Sequence, residues 1–190
     1  MKSERNLMNC FKDDLRMIRE FIQSDRKTVS LSYRKPDPYY LNYFCKLLDH
    51  PLRAKINGIL CLLQQVLIFS FLKIALYKLL QVRIGQNTYL GPFVKIDPHL
   101  PNLVSIGENV LIGIDTKIIT HEMSRNKLTL GKVKIGNNVV IGAYSIIKCG
   151  VEIGNNAELA MGTVVYKDVP ENSVAIGNPA KIVRKKTYAE

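Results

Sequence analysis

Two hydrophobic patterns divide the chain near residue 80. In the first part, apolar residues recur at helical spacing on one face; they are Leu7, Phe11, Leu15, Ile18 and Ile22. Pro36 and Pro38 interrupt the chain, and Tyr39–Leu48 has the pattern of a second helix. Pro51 suits the start of a third helix that runs to about residue 80. Residues 1–80 are therefore predicted to form an α-helical N-terminal region.

From Ile84 onward the hydrophobic period changes to six. The aliphatic residues of this repeat are Ile84, Leu90, Ile96, Ile106, Ile112, Ile118, Ile135, Ile141, Ile147, Ile153, Leu159 and Val165. A period of six fits neither a helix nor an alternating strand. It fits a solenoid, in which each unit supplies one short strand and one turn, and the repeated side chain stacks inside on its equivalents.

Four of these units begin with the same turn. Ile84, Ile106, Ile135 and Ile153 are each followed by Gly, a polar residue and Asn. Gly and Asn tolerate positive φ better than other residues, so a sharp corner repeated at these positions has a physical cause. The position four after each aliphatic residue is small or β-branched in most units, which suits a tight interior beside a corner.

Composition limits the classes of partner. The 190 residues are 47% hydrophobic, and 27 basic against 16 acidic residues give a formal net charge of +11. The length can bury a core, and the apolar fraction argues against disorder. The charge is compatible with nucleic acid, an anionic membrane or acidic small molecules. It forms no basic stripe interleaved with aromatic residues and matches no nucleic-acid-binding signature, so nucleic acid is not an expected partner.

The cysteines and the N-terminal sequence indicate the cellular compartment. Cys10, Cys45, Cys61 and Cys149 are widely scattered and form no CxxC pair, so neither a disulfide framework nor a zinc site is expected. The chain begins with a charged amphipathic stretch rather than a secretory signal pattern. These features predict a cytoplasmic protein without a metal site.

One segment raises the question of membrane contact. Ile56–Leu72 contains no charged residue over 17 positions, but it includes several polar residues and is short for a span. Three interpretations stay open: a transmembrane helix, a helix on the inner face of a membrane, or a helix buried against protein. Peripheral membrane contact through residues 56–80 is thus an alternative to burial.

With its repeat and corners, the second part of the chain resembles the hexapeptide-repeat acyltransferases. The resemblance covers about residues 82–186. It implies a mainly β fold, a left-handed parallel β-helix over residues 84–170 with a short C-terminal tail, so that residues 81–190 would form the acyltransferase domain. It also implies a homotrimer that binds acetyl-CoA, without a metal, in a groove between adjacent subunits.

The resemblance implies coils of eighteen residues, and the corners test this spacing. Ile135 and Ile153 are 18 residues apart, but Ile84 and Ile106 are 22 apart and Ile106 and Ile135 are 29 apart. The surplus residues fall near Asp97–Ser105 and Glu122–Lys134. Regular coils do not need such excursions, so these two loops are where functional residues are expected.

His121 is the candidate catalytic residue. It follows the apolar strand at Ile118 and stands where the second excursion begins, whereas His99 lies in the first excursion and His50 beside a helix break. A sugar hydroxyl needs a base of near-neutral pKa to take its proton during attack. The tract Thr120-His121-Glu122 resembles the active-site segment of the family, which implies that His121 is the base. Glu122 is the nearest candidate to orient it.

The C-terminal part carries the second resemblance, from Met161-Gly162-Thr163 to the run Gly177-Asn178-Pro179-Ala180-Lys181. By this resemblance, Ala143, Met161 and Gly162 would flank the pantetheine arm of acetyl-CoA. Lys167, Lys181 and Arg184 would lie near its phosphates, where cations are physically expected. Met161 and Tyr166 are bulkier than the residues common in the family, so either the groove is reshaped or these two residues do not make the usual contacts.

The resemblance therefore implies a CoA-dependent O-acetyltransferase that acts on a hydroxyl of a sugar or glycan precursor, as in polysaccharide biosynthesis. A serine O-acetyltransferase is the alternative enzyme, although the Asp/His motif of that family is missing. A metal enzyme of the same fold, the γ-type carbonic anhydrase, needs three histidines, and the repeat region has only His99 and His121. A longer acyl donor and a non-catalytic β-helix scaffold stay open.

Overall fold

The computed structural model describes residues 2–32, 69–124 and 127–185, together with the single positions 59, 63 and 67. The predicted helix Tyr39–Leu48 and most of the predicted third helix lie outside these residues. The end of that third helix is present as α2, Ser70–Leu79. Most of Ile56–Leu72 is likewise outside the described residues. No helix within the described ranges has the length and apolarity that crossing a membrane requires.

The N-terminal region begins with α1, Lys2–Gln23, as the apolar stripe predicts. It is not wholly helical, however, because Thr28–Ser32 forms a strand, β1. This strand alternates Val29 and Leu31, which are buried, with polar residues. That two-residue period lies in a short segment between the predicted helices, where the prediction of an all-helical region missed it.

Residues 83–185 contain many short strands, and those of the coils follow the six-residue period. Those of the coils are β2 (Arg83–Ile84), β3 (Tyr89–Leu90), β4 (Lys95–Ile96), β5 (Val104–Ile106), β6 (Leu111–Ile112), β7 (Lys117–Ile118), β10 (Val133–Ile135), β11 (Val140–Ile141), β12 (Ile146–Ile147), β13 (Glu152–Ile153), β14 (Glu158–Leu159) and β15 (Val164–Val165). The remaining strands are β8 (His121–Ser124), β9 (Lys127–Gly131), β16 (Ser173–Ile176) and β17 (Lys181–Lys185).

The coil strands build three parallel sheets, and each successive strand of a coil belongs to a different sheet. Face 1 contains β2, β5, β10 and β13; face 2 contains β3, β6, β11, β14 and β16, with β17 antiparallel at its edge; face 3 contains β4, β7, β12 and β15. The repeated aliphatic residues stand in register, for example Ile96 with Ile118 and Ile147 with Val165, and they form the core. The parallel solenoid inferred from the period of six is therefore confirmed.

The Ile-Gly-x-Asn turns form one corner of the solenoid. Asn87, Asn109, Asn138 and Asn156 all have positive φ, between 54° and 60°. Their side-chain amides form a ladder along this corner, in which each Asn donates to the Asn of the next coil at 3.1–3.2 Å and Asn156 donates to Asn172 at 2.8 Å. The ladder therefore adds side-chain hydrogen bonds between successive coils at the corner, outside the β-strands.

Both excursions pack on the N-terminal region. The first contains a short 3₁₀ helix, Pro101–Leu103, and the second is the hairpin of β8 and β9. β1 pairs antiparallel with β9, so the three strands β8, β9 and β1 form a sheet outside the coils. A second apolar cluster joins α1 and β1 to both excursions; its members are Ile18, Phe21, Val29, Leu31, Leu100, Leu103, Leu128 and Leu130.

The helix α2 packs on the strands β2 and β3 of the first coil. Tyr77 is buried and connects to β4, where its hydroxyl donates to the carbonyl of Val94 and accepts from the backbone N–H of Ile96. Lys73 is also buried, and its ammonium donates to the carbonyl of Gly91 at 2.7 Å. Burial lowers the pKa of Lys73. The helix therefore covers the core of the first coil.

Candidate active site

The two excursions bring an acid and a base together. Asp97 is the first residue after β4, and His121 is the first residue of β8. Oδ2 of Asp97 lies 2.5 Å from Nδ1 of His121. Because β4 and β7 are adjacent in face 3, residues of the first coil stand beside those that come 22 positions later. The pair is therefore a consequence of coil stacking, although its members are 24 residues apart in sequence.

Asp97 is held in place by the backbone around it. Its Oδ1 accepts from the N–H of His99 at 3.0 Å, and its Oδ2 accepts from the N–H of Thr120 at 3.1 Å. Burial on its own would raise the pKa of Asp97, but the hydrogen bond and charge of His121 and the two backbone N–H groups hold this pKa at about 2. Asp97 is thus a fixed carboxylate that accepts hydrogen bonds.

His121 is partly buried, with 26% of its side chain exposed. The hydrogen bond with Asp97 raises the pKa of His121, and burial opposes that shift. An ionised carboxylate can only accept, so Nδ1 of His121 carries the proton and Nε2 is the nitrogen that can take a proton from another molecule. An imidazole oriented in this way by a carboxylate is suited to general-base chemistry.

Glu122 does not orient His121, contrary to the sequence-based expectation. Its Oε2 lies 2.9 Å from Nζ of Lys148, and the carboxylate on His121 is that of Asp97. The reason is that the Glu122 carboxylate pairs with Lys148, whereas the stacking of the coils places the Asp97 carboxylate on Nδ1 of His121. Glu122 instead lies in the same cavity as His121.

His99 stacks on His121. Their ring centroids are 5.3 Å apart and the ring planes differ by 23°. The two residues are 22 positions apart, which is the spacing of this coil. The ring of His99 therefore covers one side of the candidate base.

A cavity of about 270 Å³ opens in front of His121. Ile146 and Val164 form its apolar floor, on the outer side of face 3. The polar lining comes from several elements: His121, Glu122, Lys148, Tyr166 and Asn178. A concave apolar surface with a few converging polar groups is typical of a small-molecule site.

A second cavity of about 260 Å³ lies next to the first, and Tyr166 lines both. Lys167 lines this second cavity together with Pro179, Ala180 and Ile182 of the C-terminal segment. Lys181 and Arg184 are exposed on β17, the strand that carries Ile182. The three cations predicted near phosphates thus come from the end of the last coil and from the strand after it.

The other predicted cofactor residues lie together at the corner between faces 2 and 3. The N–H of Gly162 donates to the carbonyl of Ala143 at 2.8 Å, so the two residues are neighbours in successive coils. Met161 is 72% exposed, and a Cβ added to Gly162 would meet nothing within 4 Å. Ala143, Met161 and Gly162 line neither of the two cavities described above. Their role at the pantetheine arm stays a prediction.

Sequence reasoning missed Asp97, Lys148 and Asn178. The signal for Asp97 was present in the corner spacing, because a coil of 22 residues places positions 97 and 99 beside 119 and 121. Lys148 follows β12 and Asn178 precedes a proline in the tail, and nothing in the period of six marks either as functional. Among the described residues, no group of three or more His, Cys, Asp or Glu side chains could hold a metal ion.

Residues 132–167 match the family described as bacterial transferase hexapeptide (six repeats). The Staphylococcus aureus protein SAR0816, provisionally named an acetyltransferase, is 35% identical over 167 residues, which cover 84% of this chain and 99% of that protein. YvoF of Bacillus subtilis, also provisionally named an acetyltransferase, is 39% identical over 56% of this chain and 62% of its own length. The galactoside O-acetyltransferase of Escherichia coli is 35% identical over 55% of this chain, and this chain spans 54% of that enzyme.

Solved structures agree with the fold. The hexapeptide-repeat acetyltransferase VCA0836 of Vibrio cholerae, solved with acetyl-CoA, superposes with a TM-score of 0.61 at 26% identity. The alignment covers 72% of this chain and 88% of that protein. A galactoside acetyltransferase solved with CoA superposes with a TM-score of 0.56 at 23% identity, and this likeness concerns the fold alone.

Proposed function

Because the chain belongs to the hexapeptide-repeat acetyltransferases, we propose that it transfers an acetyl group from acetyl-CoA to a hydroxyl of a sugar or glycan precursor. The observation that carries this proposal is the pair of buried Asp97 and partly buried His121 at the edge of a small-molecule cavity. The galactoside O-acetyltransferase among the relatives and the acetyl-CoA complex of VCA0836 support the acceptor and donor classes.

His121 acts as the general base in the proposed reaction. Nε2 of His121 takes the proton of the acceptor hydroxyl while its oxygen attacks the carbonyl carbon of the thioester. The carbon–sulfur bond then breaks, and the imidazolium returns the proton to the departing CoA sulfur, which leaves His121 neutral. Asp97 stabilises the imidazolium between these steps, because it is ionised and lies 2.5 Å from Nδ1.

Acetyl-CoA reaches His121 along the outer side of face 3. Tyr166 lines both cavities, Lys167 lines the second and His121 lines the first, which supports this path. Lys167, Lys181 and Arg184 bind the phosphates, because cations with free donors bind phosphate oxygens strongly. The Ala143, Met161 and Gly162 corner contacts the pantetheine arm, as the resemblance implies.

The active unit in this proposal is a homotrimer. Tyr89, Leu111 and Val140 stand in register on the outer side of face 2 and are 48%, 46% and 39% exposed. A row of exposed apolar residues on a soluble domain favours burial against another subunit. In the family, the groove for CoA lies between such subunits. The left-handed winding that the resemblance implies stays a prediction.

An acceptor screen that follows the release of CoA tests the proposed function. Methyl galactoside, methyl glucoside and serine are each offered with acetyl-CoA. We expect release that depends on a sugar, since the relatives include a galactoside enzyme. Release that depends on serine alone would favour the serine O-acetyltransferase alternative, and binding of acetyl-CoA without transfer to any acceptor would favour the scaffold.

A further inference from the structure

The second cavity, at which the phosphates of acetyl-CoA would bind, has an acidic residue in its lining. Asp168 lines this cavity next to Lys167, and about half of its side chain is exposed. A carboxylate beside a phosphate site is unfavourable, because like charges repel each other. The charge of Asp168 must therefore be compensated if this cavity is to bind an anion well.

The compensating charge comes from the N-terminal region. Nζ of Lys27 lies 2.7 Å from Oδ2 of Asp168, although the two residues are 141 positions apart. Oδ1 of Asp168 accepts from the backbone N–H of Glu152 at 2.8 Å. The hydrogen bond with Asp168 raises the pKa of Lys27. Burial opposes the ionisation of Asp168, but its hydrogen bonds with Lys27 and with the N–H of Glu152 lower its pKa.

Lys27 reaches Asp168 from a fixed position against the solenoid. Its carbonyl accepts from the N–H of Lys132, between β9 and β10, at 2.8 Å. The next residue, Thr28, begins β1 and packs closely on Gly150, where an added Cβ would lie 2.3 Å from Cγ2 of Thr28. The backbone on both sides of the Lys27 side chain is thus held by the hairpin and by the coils.

Stability alone gives no strong reason for this ion pair. The side chains of Lys27 and Asp168 are 52% and 53% exposed, and exposed ion pairs contribute little to stability. A unit charge nevertheless acts on other charges within a Debye length, which is about 8–10 Å at moderate salt. Since Asp168 lines the second cavity, its charge and that of Lys27 both act on an anion bound there.

We propose that Lys27 is a positioning residue for the acetyl donor, which holds and neutralises Asp168 so that the phosphates of CoA meet the charge of Lys167 without a competing carboxylate. This inference rests on the proposed function. Lys27 acts through Asp168 and does not itself line the cavity. The N-terminal region thereby takes part in donor binding, in addition to its packing on the two excursions.

The test measures the dissociation constant of CoA for the full chain by isothermal titration calorimetry. In Lys27→Met at low ionic strength, we expect this constant to rise by about 5-fold, the scale of one unit charge acting across a few ångströms of water. The ratio of variant to wild type should fall towards one at ~1 M salt, where the Debye length is about 3 Å. Lys27→Arg should bind CoA as the wild type does, because it keeps the charge.

A double variant, with Lys27→Met and Asp168→Asn, separates charge compensation from a merely structural contact. Asparagine keeps an oxygen for the N–H of Glu152 but carries no charge. We expect the double variant to bind CoA about as tightly as the wild type. A double variant as weak as Lys27→Met would show that Lys27 does not act through the charge of Asp168, which would overturn the proposal.

Lys134→Met is the matched control. Lys134 forms an ion pair with Glu152 at 2.9 Å, and Glu152 also pairs with Lys27, so the control removes a cation from the same network but not from Asp168. We expect its affinity for CoA to match that of the wild type. Thermal unfolding of all variants shows whether each one is folded.

Two further results would overturn the role of Lys27. One is an unchanged affinity for CoA in Lys27→Met, and the other is an equal loss of affinity in Lys134→Met. A wild-type protein that binds CoA but transfers acetyl to no sugar contradicts the proposed function and not the role of Lys27, so the two failures are distinguishable.

Discussion

At the scale of single residues, the site depends on the contact between Asp97 and His121. Two backbone N–H groups and one imidazole keep Asp97 ionised although it is buried. The same contact raises the pKa of His121, which makes it a stronger base that is also protonated at higher pH. Removal of the carboxylate should therefore change both the rate and its pH dependence.

We expect Asp97→Asn to lower kcat by about 10²-fold, because the imidazolium formed during transfer loses its stabilising charge. Neutral His121 is the active form, so kcat/KM rises with pH through the pKa of His121. Since Asp97 raises that pKa, the acid limb of kcat/KM should move to lower pH in the variant. The pH profile from pH 5 to 9 is the measurement.

Asp115→Asn is the control for this profile. Asp115 lies at a corner of the coils, 3.8 Å from Lys117, and not on His121. We expect its acid limb to match that of the wild type. An acid limb that stays in place in Asp97→Asn would show that Asp97 does not set the pKa of the base.

At the scale of the elements, the corners set the path of each coil. Asn109 has φ of 54°, and its side chain bonds to the Asn residues of both neighbouring coils. Asn109→Ala removes the side-chain hydrogen bonds of the ladder. It also forces an alanine into the left-handed region of φ, which costs about 1–2 kcal/mol for the backbone alone. Asn109→Gly removes the same hydrogen bonds, but glycine adopts a positive φ without this cost.

The two variants therefore separate the backbone from the ladder. We expect the midpoint of thermal unfolding to fall more in Asn109→Ala than in Asn109→Gly. Equal losses would mean that the amide ladder, and not the positive φ, stabilises the corner.

The N-terminal region holds the two excursions against each other. Phe21 of α1 is fully buried in the cluster that contains Leu100 of the first excursion and Leu130 of the second. Leu130 is the register partner of His121 in the β8–β9 hairpin and of Val29 in β1. The position of His121 thus depends on residues near the N-terminus, far from it in sequence.

We expect Phe21→Ala to lower the free energy of unfolding by about 3–5 kcal/mol, as for other buried aromatic residues. It should also reduce kcat more than it raises either KM, because it loosens the packing of the two excursions that carry Asp97 and His121. Urea unfolding and steady-state kinetics measure the two effects. Met17→Ala, on the exposed side of the same helix, should change neither. A loss of stability without any loss of kcat would restrict α1 to a structural role.

At the scale of the whole molecule, the proposed trimer makes the outer side of face 2 an interface. Leu111 lies in the middle of its apolar row. We expect Leu111→Glu to sediment as a monomer and to lose acetyl transfer, although Leu111 and His121 belong to different faces, because the proposed CoA groove lies between two subunits. Ser105→Glu changes an outward residue of the same coil on face 1 and should stay trimeric. A trimeric, active Leu111→Glu protein would contradict this interface.

Much of this architecture could be predicted from the sequence, because the period of six is repeated in every coil. The inward Ile residues and the Asn corners predict the solenoid, since their contacts lie within one coil or between adjacent coils. β1 and the docking of α1 could not be predicted, because they depend on contacts across about a hundred residues, such as Val29 with Leu130. The sequence suggested Glu122 as the residue that orients His121, because the two are adjacent in the chain. In the structure Asp97 orients His121, because the stacking of the coils brings it there.

The measurement that tests the central claim most directly is the transfer of a labelled acetyl group from acetyl-CoA to methyl galactoside, by the wild-type protein and by His121→Ala. We predict labelled sugar from the wild type and a loss of about 10²–10⁴-fold in the variant, with its thermal stability and its sedimentation unchanged. Labelled sugar formed at the same rate by His121→Ala would contradict the assignment of His121 as the base.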